Sequence, residues 1–139
     1  MRSRLALGLA LLLALGCGGK KFVPVSGKVT LNGQPLPGAT VSFQPIAEGS
    51  VEAAAGSVGK TDAQGEYTLT ASTGQGGAAV GKHRVMISLL NPKVGEDDAR
   101  RRHGPALEDK VPPRYNKDSK EVVEVPADGL KKDFALTSP

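Results

Sequence analysis

The stretch Val25-Ser26-Gly27-Lys28-Val29-Thr30-Leu31-Asn32-Gly33 decides the fold. Val25, Gly27, Val29 and Leu31 alternate with Ser26, Lys28, Thr30 and Asn32, the period of a strand with one buried face. Asn32-Gly33 then supplies the positive φ of a tight turn. The same grammar repeats outward from it. After Pro35, Pro37 and Gly38 the chain re-enters a strand at 40–44, with Val41 and Phe43 inward. Residues 57–61 and 66–70 read as strands joined through Asp62-Ala63-Gln64-Gly65, with Tyr67 and Leu69 inward. In that turn Asp62 is expected to cap backbone amides and Gly65 to supply positive φ. Residues 82–90 form the strongest strand, with Val85, Ile87 and Leu89 on one face. Residues 120–125 and 131–137 are expected to pair around a turn at 126–129, with Val123, Val125, Phe134 and Leu136 in the core.

Three connections separate these strands. Residues 46–55 form a small-residue loop, and 73–79 a Gly/Ala-rich loop expected to be mobile. Residues 91–119 make a long connection with Pro92, Pro105, Pro112 and Pro113, of the kind that is either functional or disordered. Seven short strands without a helical period predict an all-β, antiparallel, two-sheet sandwich. A chain of 139 residues fits one such domain.

The N-terminus carries a different message. Arg2 and Arg4 precede an unbroken apolar run at residues 5–15. It is too short to span a bilayer, which takes about 20 residues, but has the length of a signal-peptide core. The run ends in Leu13-Ala14-Leu15-Gly16-Cys17, which resembles a lipobox; Cys17 is the chain's one cysteine. The thiol is expected to become a thioether to diacylglycerol, and a second acyl chain makes such anchoring stable. The expected organisation is a helical signal peptide at 1–16, the lipidated Cys17 and tether at 17–22, and the sandwich domain at 23–139. Lys20 and Lys21 in the tether either favour anionic headgroups or simply keep it soluble.

Val25, Gly27 and Val29, the run Asn32-Gly33-Gln34-Pro35-Leu36-Pro37-Gly38-Ala39, and Val41 with Phe43 resemble the opening of carboxypeptidase regulatory-like domains. Thr61-Asp62-Ala63-Gln64-Gly65-Glu66-Tyr67 and residues 81–87 continue the likeness, as do Pro113-Arg114-Tyr115 and Phe134-Ala135-Leu136. The resemblance implies a seven-stranded Ig-like/transthyretin-like sandwich of the kind found in small bacterial lipoproteins. It also implies a non-catalytic module used for stability, adhesion or binding.

Candidate chemistry is sparse. The net charge of +4 falls by two once Arg2 and Arg4 leave with the leader, so charge gives no reason to expect a nucleic-acid partner. One cysteine excludes an intrachain disulfide and a Cys-based zinc site. His83 and His103 begin no metal-ligand spacing, and His83 is expected at a strand edge or the surface. Glu96-Asp97-Asp98 resembles a calcium ligand run, but Arg100, Arg101 and Arg102 beside it would neutralise the site. An exposed arginine cluster could instead meet an acidic glycan or lipid. Lys28 on the first strand occupies a place where some related domains form a Lys–Asn crosslink, but the last strand has no Asn. Tyr115 is expected to pin the long connection to the sandwich, with a ligand contact as the alternative.

The reading is therefore a non-enzymatic module, with no cofactor or metal, outside the cytoplasm at the cell envelope. Its partners would be the membrane through acylated Cys17 and an envelope protein or glycan, with Arg100, Arg101, Arg102 and Tyr115 as contacts. A structural spacer or envelope-assembly subunit without a ligand is the alternative, and an enzyme of unknown type is a third reading.

Overall fold

The computed structural model describes residues 21–47, 54–92 and 107–139. The fold is all-β, with strand segments β1 (Phe22–Val23), β2 (Val25–Leu31), β3 (Gln34–Pro35), β4 (Thr40–Pro45), β5 (Ser57–Lys60), β6 (Glu66–Thr68) and β7 (Thr70–Ala71) in the first half. The second half adds β8 (Ala78–Ala79), β9 (Gly81–Ser88), β10 (Leu90–Pro92), β11 (Leu107–Asp109), β12 (Val122–Val125), β13 (Leu130–Lys131) and β14 (Phe134–Leu136), with a 3-10 turn at Pro113–Tyr115. Each of the seven predicted stretches contains strand.

One sheet has the order β12-β9-β4-β5-β7. A second five-stranded sheet is built on β2, which pairs antiparallel with β3 and β6 and parallel with β13 and β14. β1 with β8 and β10 with β11 form two small two-stranded sheets. The inward positions of both five-stranded sheets share one hydrophobic cluster that includes Val25, Val29, Val41, Phe43, Tyr67, Leu69, Val85, Ile87, Val123, Val125, Phe134 and Leu136. Phe134 from the second sheet meets Phe43 of the first edge-on, with centroids 6.4 Å apart. The predicted turns close as their residues require: Asn32 and Gly33 have φ of 52° and 82°, and Gly65 has 77°.

Three expectations are corrected. Residues 120–125 and 131–137 do not pair. β12 lies on β9, while β13 and β14 lie on β2 in the other sheet. A period of two fixes which face of a strand is buried but not which neighbour it takes. After Val125 the turn closed by Gly129 N–H on Pro126 O delivers Leu130 N–H to Pro24 O instead of back to β12. The segment 66–70 likewise divides, with β6 on β2 and β7 on β5. Residues 73–79 are not simply a loop, because Ala78 and Ala79 are buried as β8, paired with β1.

The register of the last strand explains its break. Val25 faces Leu130 and Val29 faces Phe134, the same offset, so β13 and β14 are one edge strand interrupted at Lys132 and Asp133. A Cβ on Gly27 would stand 1.8 Å from the Lys132 carbonyl oxygen and 3.0 Å from the Tyr67 ring. Glycine in a strand interior marks this kind of backbone approach. The Lys132 carbonyl accepts the Tyr67 hydroxyl at 2.6 Å. The Lys28 N–H is taken by the Asp133 carboxylate at 2.9 Å. One glycine, one tyrosine and one aspartate thus replace a rung of the ladder.

Candidate functional site

The long connection returns to the described chain at β11 and is then fixed by polar side chains spent on backbone groups. Asp109 Oδ1 accepts the N–H groups of Leu89 and Val111, each at 2.9 Å. Asn116 donates to Asp109 Oδ2 and to the Val111 carbonyl. Ser119, buried, donates to the Val85 carbonyl, and Arg84 Nε reaches the Ser119 carbonyl at 2.8 Å. This latticework sets the 3-10 turn against the end of β14.

Tyr115 sits at that turn, half-buried and packed against the core cluster. Its hydroxyl accepts Thr137 N–H at 3.1 Å and lies 3.3 Å from the Thr137 hydroxyl. Arg114 lies over the ring, 4.8 Å from its centroid, and donates to the Thr137 carbonyl and hydroxyl. The Thr137 hydroxyl first, then its N–H and Arg114, hold the Tyr115 phenol down at about 8. The expected pin is therefore present, and it grips the last strand through Thr137.

Beside this clasp a cleft of about 180 Å³ opens between the two sheets. Val85, Ile87, Phe134 and Leu136 contribute its apolar lining, and Ser119, Glu121, Lys132 and Asp133 its polar groups. Lys132 Nζ stands 5.9 Å from the Phe134 ring centroid. A second concavity, about 330 Å³ and largely polar, includes Ser26, Lys28, Glu66, Thr68, Lys131 and Asp133. Of these residues the sequence reading singled out Tyr115 and Lys28 for a role and placed Val85, Ile87, Phe134 and Leu136 in the core. Arg114 and Thr137 escaped it because their partnership spans 23 residues and depends on a tertiary return. Glu121, Lys132 and Asp133 fall within predicted strands that were given no functional role.

His83 is corrected from a surface position to a core one. It is 1% exposed, in phase with Val85 and Ile87, and its ring lies 5.7 Å from that of Phe43. Its Nε2 meets the Ala79 carbonyl at 2.7 Å, and an N–H there donating to the oxygen fits the contact. The rhythm of Val85 and Ile87 carried this signal; inside, Nε2 has the Ala79 carbonyl, while Nδ1 has no hydrogen-bond partner among the described residues. Asp62 does what its turn predicted, accepting Gln64 and Glu66 N–H groups at 2.9 Å. Cys17, Arg100, Arg101, Arg102, His103 and Glu96-Asp97-Asp98 lie outside the described residues.

Among the described residues no group of three or more His, Cys, Asp or Glu side chains could hold a metal ion. No helix among them is long and apolar enough to cross a membrane. Comparison with protein-family models, curated proteins and solved structures gives no match.

Proposed function

We propose that the chain is a lipoprotein whose Cys17 carries the lipid and whose remainder is one carboxypeptidase regulatory-like β-sandwich, acting without catalysis as a binding or presentation module at the cell envelope. The single observation that carries this reading is the placement of the one cysteine. It closes the apolar run at 5–15, and five residues later β1 begins. The two sheets with a shared core support the sandwich, and its transthyretin-like form rests on the turn residues quoted above. The polar side chains with resolved roles, Asp62, Asp109, Asn116 and Ser119, satisfy backbone groups, which suits a scaffold. The cleft beside Tyr115 is where a partner's apolar side chain would be received.

The spacer reading has one observation in its favour. Two of the connections meet at one end of the domain, where Ser72 N–H donates to the Gly56 carbonyl. The long connection departs after β9 from the opposite end.

Intact mass and membrane partition of the full chain expressed in a bacterial host, beside Cys17→Ser, test the anchor. The expected result is a mature mass beginning at Cys17 with acyl chains added, and release of the variant from membranes. An unlipidated chain that stays soluble in both versions overturns it.

A further inference from the structure

We propose that the end of the domain nearest the tether is a second membrane contact, which seats Ile46 and Val80 on the bilayer that holds the acyl chains; this rests on the lipoprotein reading above. The argument begins with length. Only residues 18–21 separate Cys17 from β1, and four extended residues reach at most about 14 Å. Whatever surrounds Lys21 must therefore lie near the lipid.

Two exposed aliphatic side chains surround it. Val80 N–H donates to the Lys21 carbonyl at 2.9 Å, extending the pairing of β1 with β8, and Val80 is 38% exposed. Two residues further on, the Lys82 carbonyl accepts the Ile46 N–H at 2.9 Å, and Ile46 is 41% exposed. With strands about 4.8 Å apart and about 3.3 Å per residue, Lys21, Val80 and Ile46 fall within roughly 15 Å of one another.

Aliphatic groups exposed singly need no explanation, but two beside an anchor point have an available apolar phase. Lys21, exposed, adds attraction to anionic headgroups, while Asp128 on the neighbouring 126–129 turn opposes it. The aliphatic pair therefore carries the contact and Lys21 tunes it.

The chain has no tryptophan, so single indoles report depth without background. Full-length lipidated protein would carry Val80→Trp, Ile46→Trp or Leu90→Trp in phosphatidylcholine–phosphatidylglycerol vesicles with brominated acyl chains. Leu90 is 55% exposed and opens β10, beyond the far end of β9 and eight residues on from Lys82, at most roughly 25 Å away. Blue-shifted, quenched emission from positions 80 and 46 but not 90 is the expected result. Adding Lys21→Ala should lower the docked-to-undocked ratio roughly fivefold, the equivalent of about 1 kcal/mol for one surface lysine. Unquenched indoles on a protein that still floats with the vesicles would overturn the docking and leave the anchor standing. Equal quenching at all three positions would also overturn it. A mass without acyl groups would overturn both readings.

Discussion

Two tyrosine hydroxyls hold the same edge strand, one near each end. Tyr67 donates to the Lys132 carbonyl from inside the core, where it is 2% exposed. Tyr115 accepts the Thr137 N–H from the surface, beside a guanidinium. The phenol donates in one hydrogen bond and accepts in the other, and their surroundings decide their worth. At the Tyr67 end the ring is buried and only the polar concavity at its tip admits water, so an unmade bond costs part of the desolvation of a carbonyl. At the Tyr115 end water substitutes readily. The inner end should therefore govern stability, and the outer end should show its character mainly in titration.

The sharpest way to break this contrast is at Gly27, where the inner end is assembled. Gly27→Ala places a methyl group on backbone atoms of Lys132, which only a shift of the edge strand can relieve. We expect a loss of about 3 kcal/mol in denaturant unfolding, the upper part of the range for overpacked cores. Gly33→Ala is the control for backbone strain alone. Gly33 has φ of 82° with open space around its Cβ position, so the cost should be nearer 1 kcal/mol. Equal losses at the two positions would mean that the Lys132 carbonyl moves aside freely, and that the inner end is not the constrained one.

The hydroxyl pair sharpens the comparison next. Tyr67→Phe leaves the Lys132 carbonyl without its donor and should cost about 2 kcal/mol. Tyr115→Phe should cost about 0.5 kcal/mol, since its bonds lie in water's reach. Both are read by urea unfolding at neutral pH. A larger loss at Tyr115 would reverse the ranking and make the clasp the principal tie of the long connection.

The sequence disclosed these two ends unequally. Tyr67 was legible as an inward residue, because Tyr67 and Leu69 keep the period of a half-buried strand. Gly27 kept the same rhythm as Val25 and Val29, and its lack of a side chain was the available sign of a close approach. What approaches it, the Lys132 carbonyl, was illegible, since nothing local assigns residues 131–137 to β2 over β12. Tyr115 was legible as a pin through its position after Pro112-Pro113-Arg114. Its partner Thr137 was not, for the same reason: the pairing is made by the crossing at 126–129. Alternation thus gave the faces of β2, β4 and β9, and followed strictly it would have put His83 inside as well, whereas strand partners depend on where each turn releases the chain.

The finest test uses the ionisation of the two phenols, the chain's only tyrosines. Burial, with the Asp133 carboxylate adding to it, pushes Tyr67 well above its ordinary 10.0. Tyr115 is held at about 8 by its Thr137 and Arg114 contacts. Ultraviolet titration of the folded protein should therefore resolve a first phenolate near pH 8, absent in Tyr115→Phe, and a second far above it. The signs for stability are opposite. Because folding lowers the Tyr115 pKa, its contribution is complete above pH 10 and is lost as pH falls through 8. Because folding raises the Tyr67 pKa, its contribution is complete below pH 10 and drains away above it. The stability difference between wild type and Tyr115→Phe should thus widen from pH 8 to pH 10. Over the same interval the difference between wild type and Tyr67→Phe should stay flat. A first phenolate near 10 in place of 8, with the second still far above it, would show that the clasp opens in solution and leaves the last strand held at its inner end; a single merged titration near 10 would overturn the contrast at both ends.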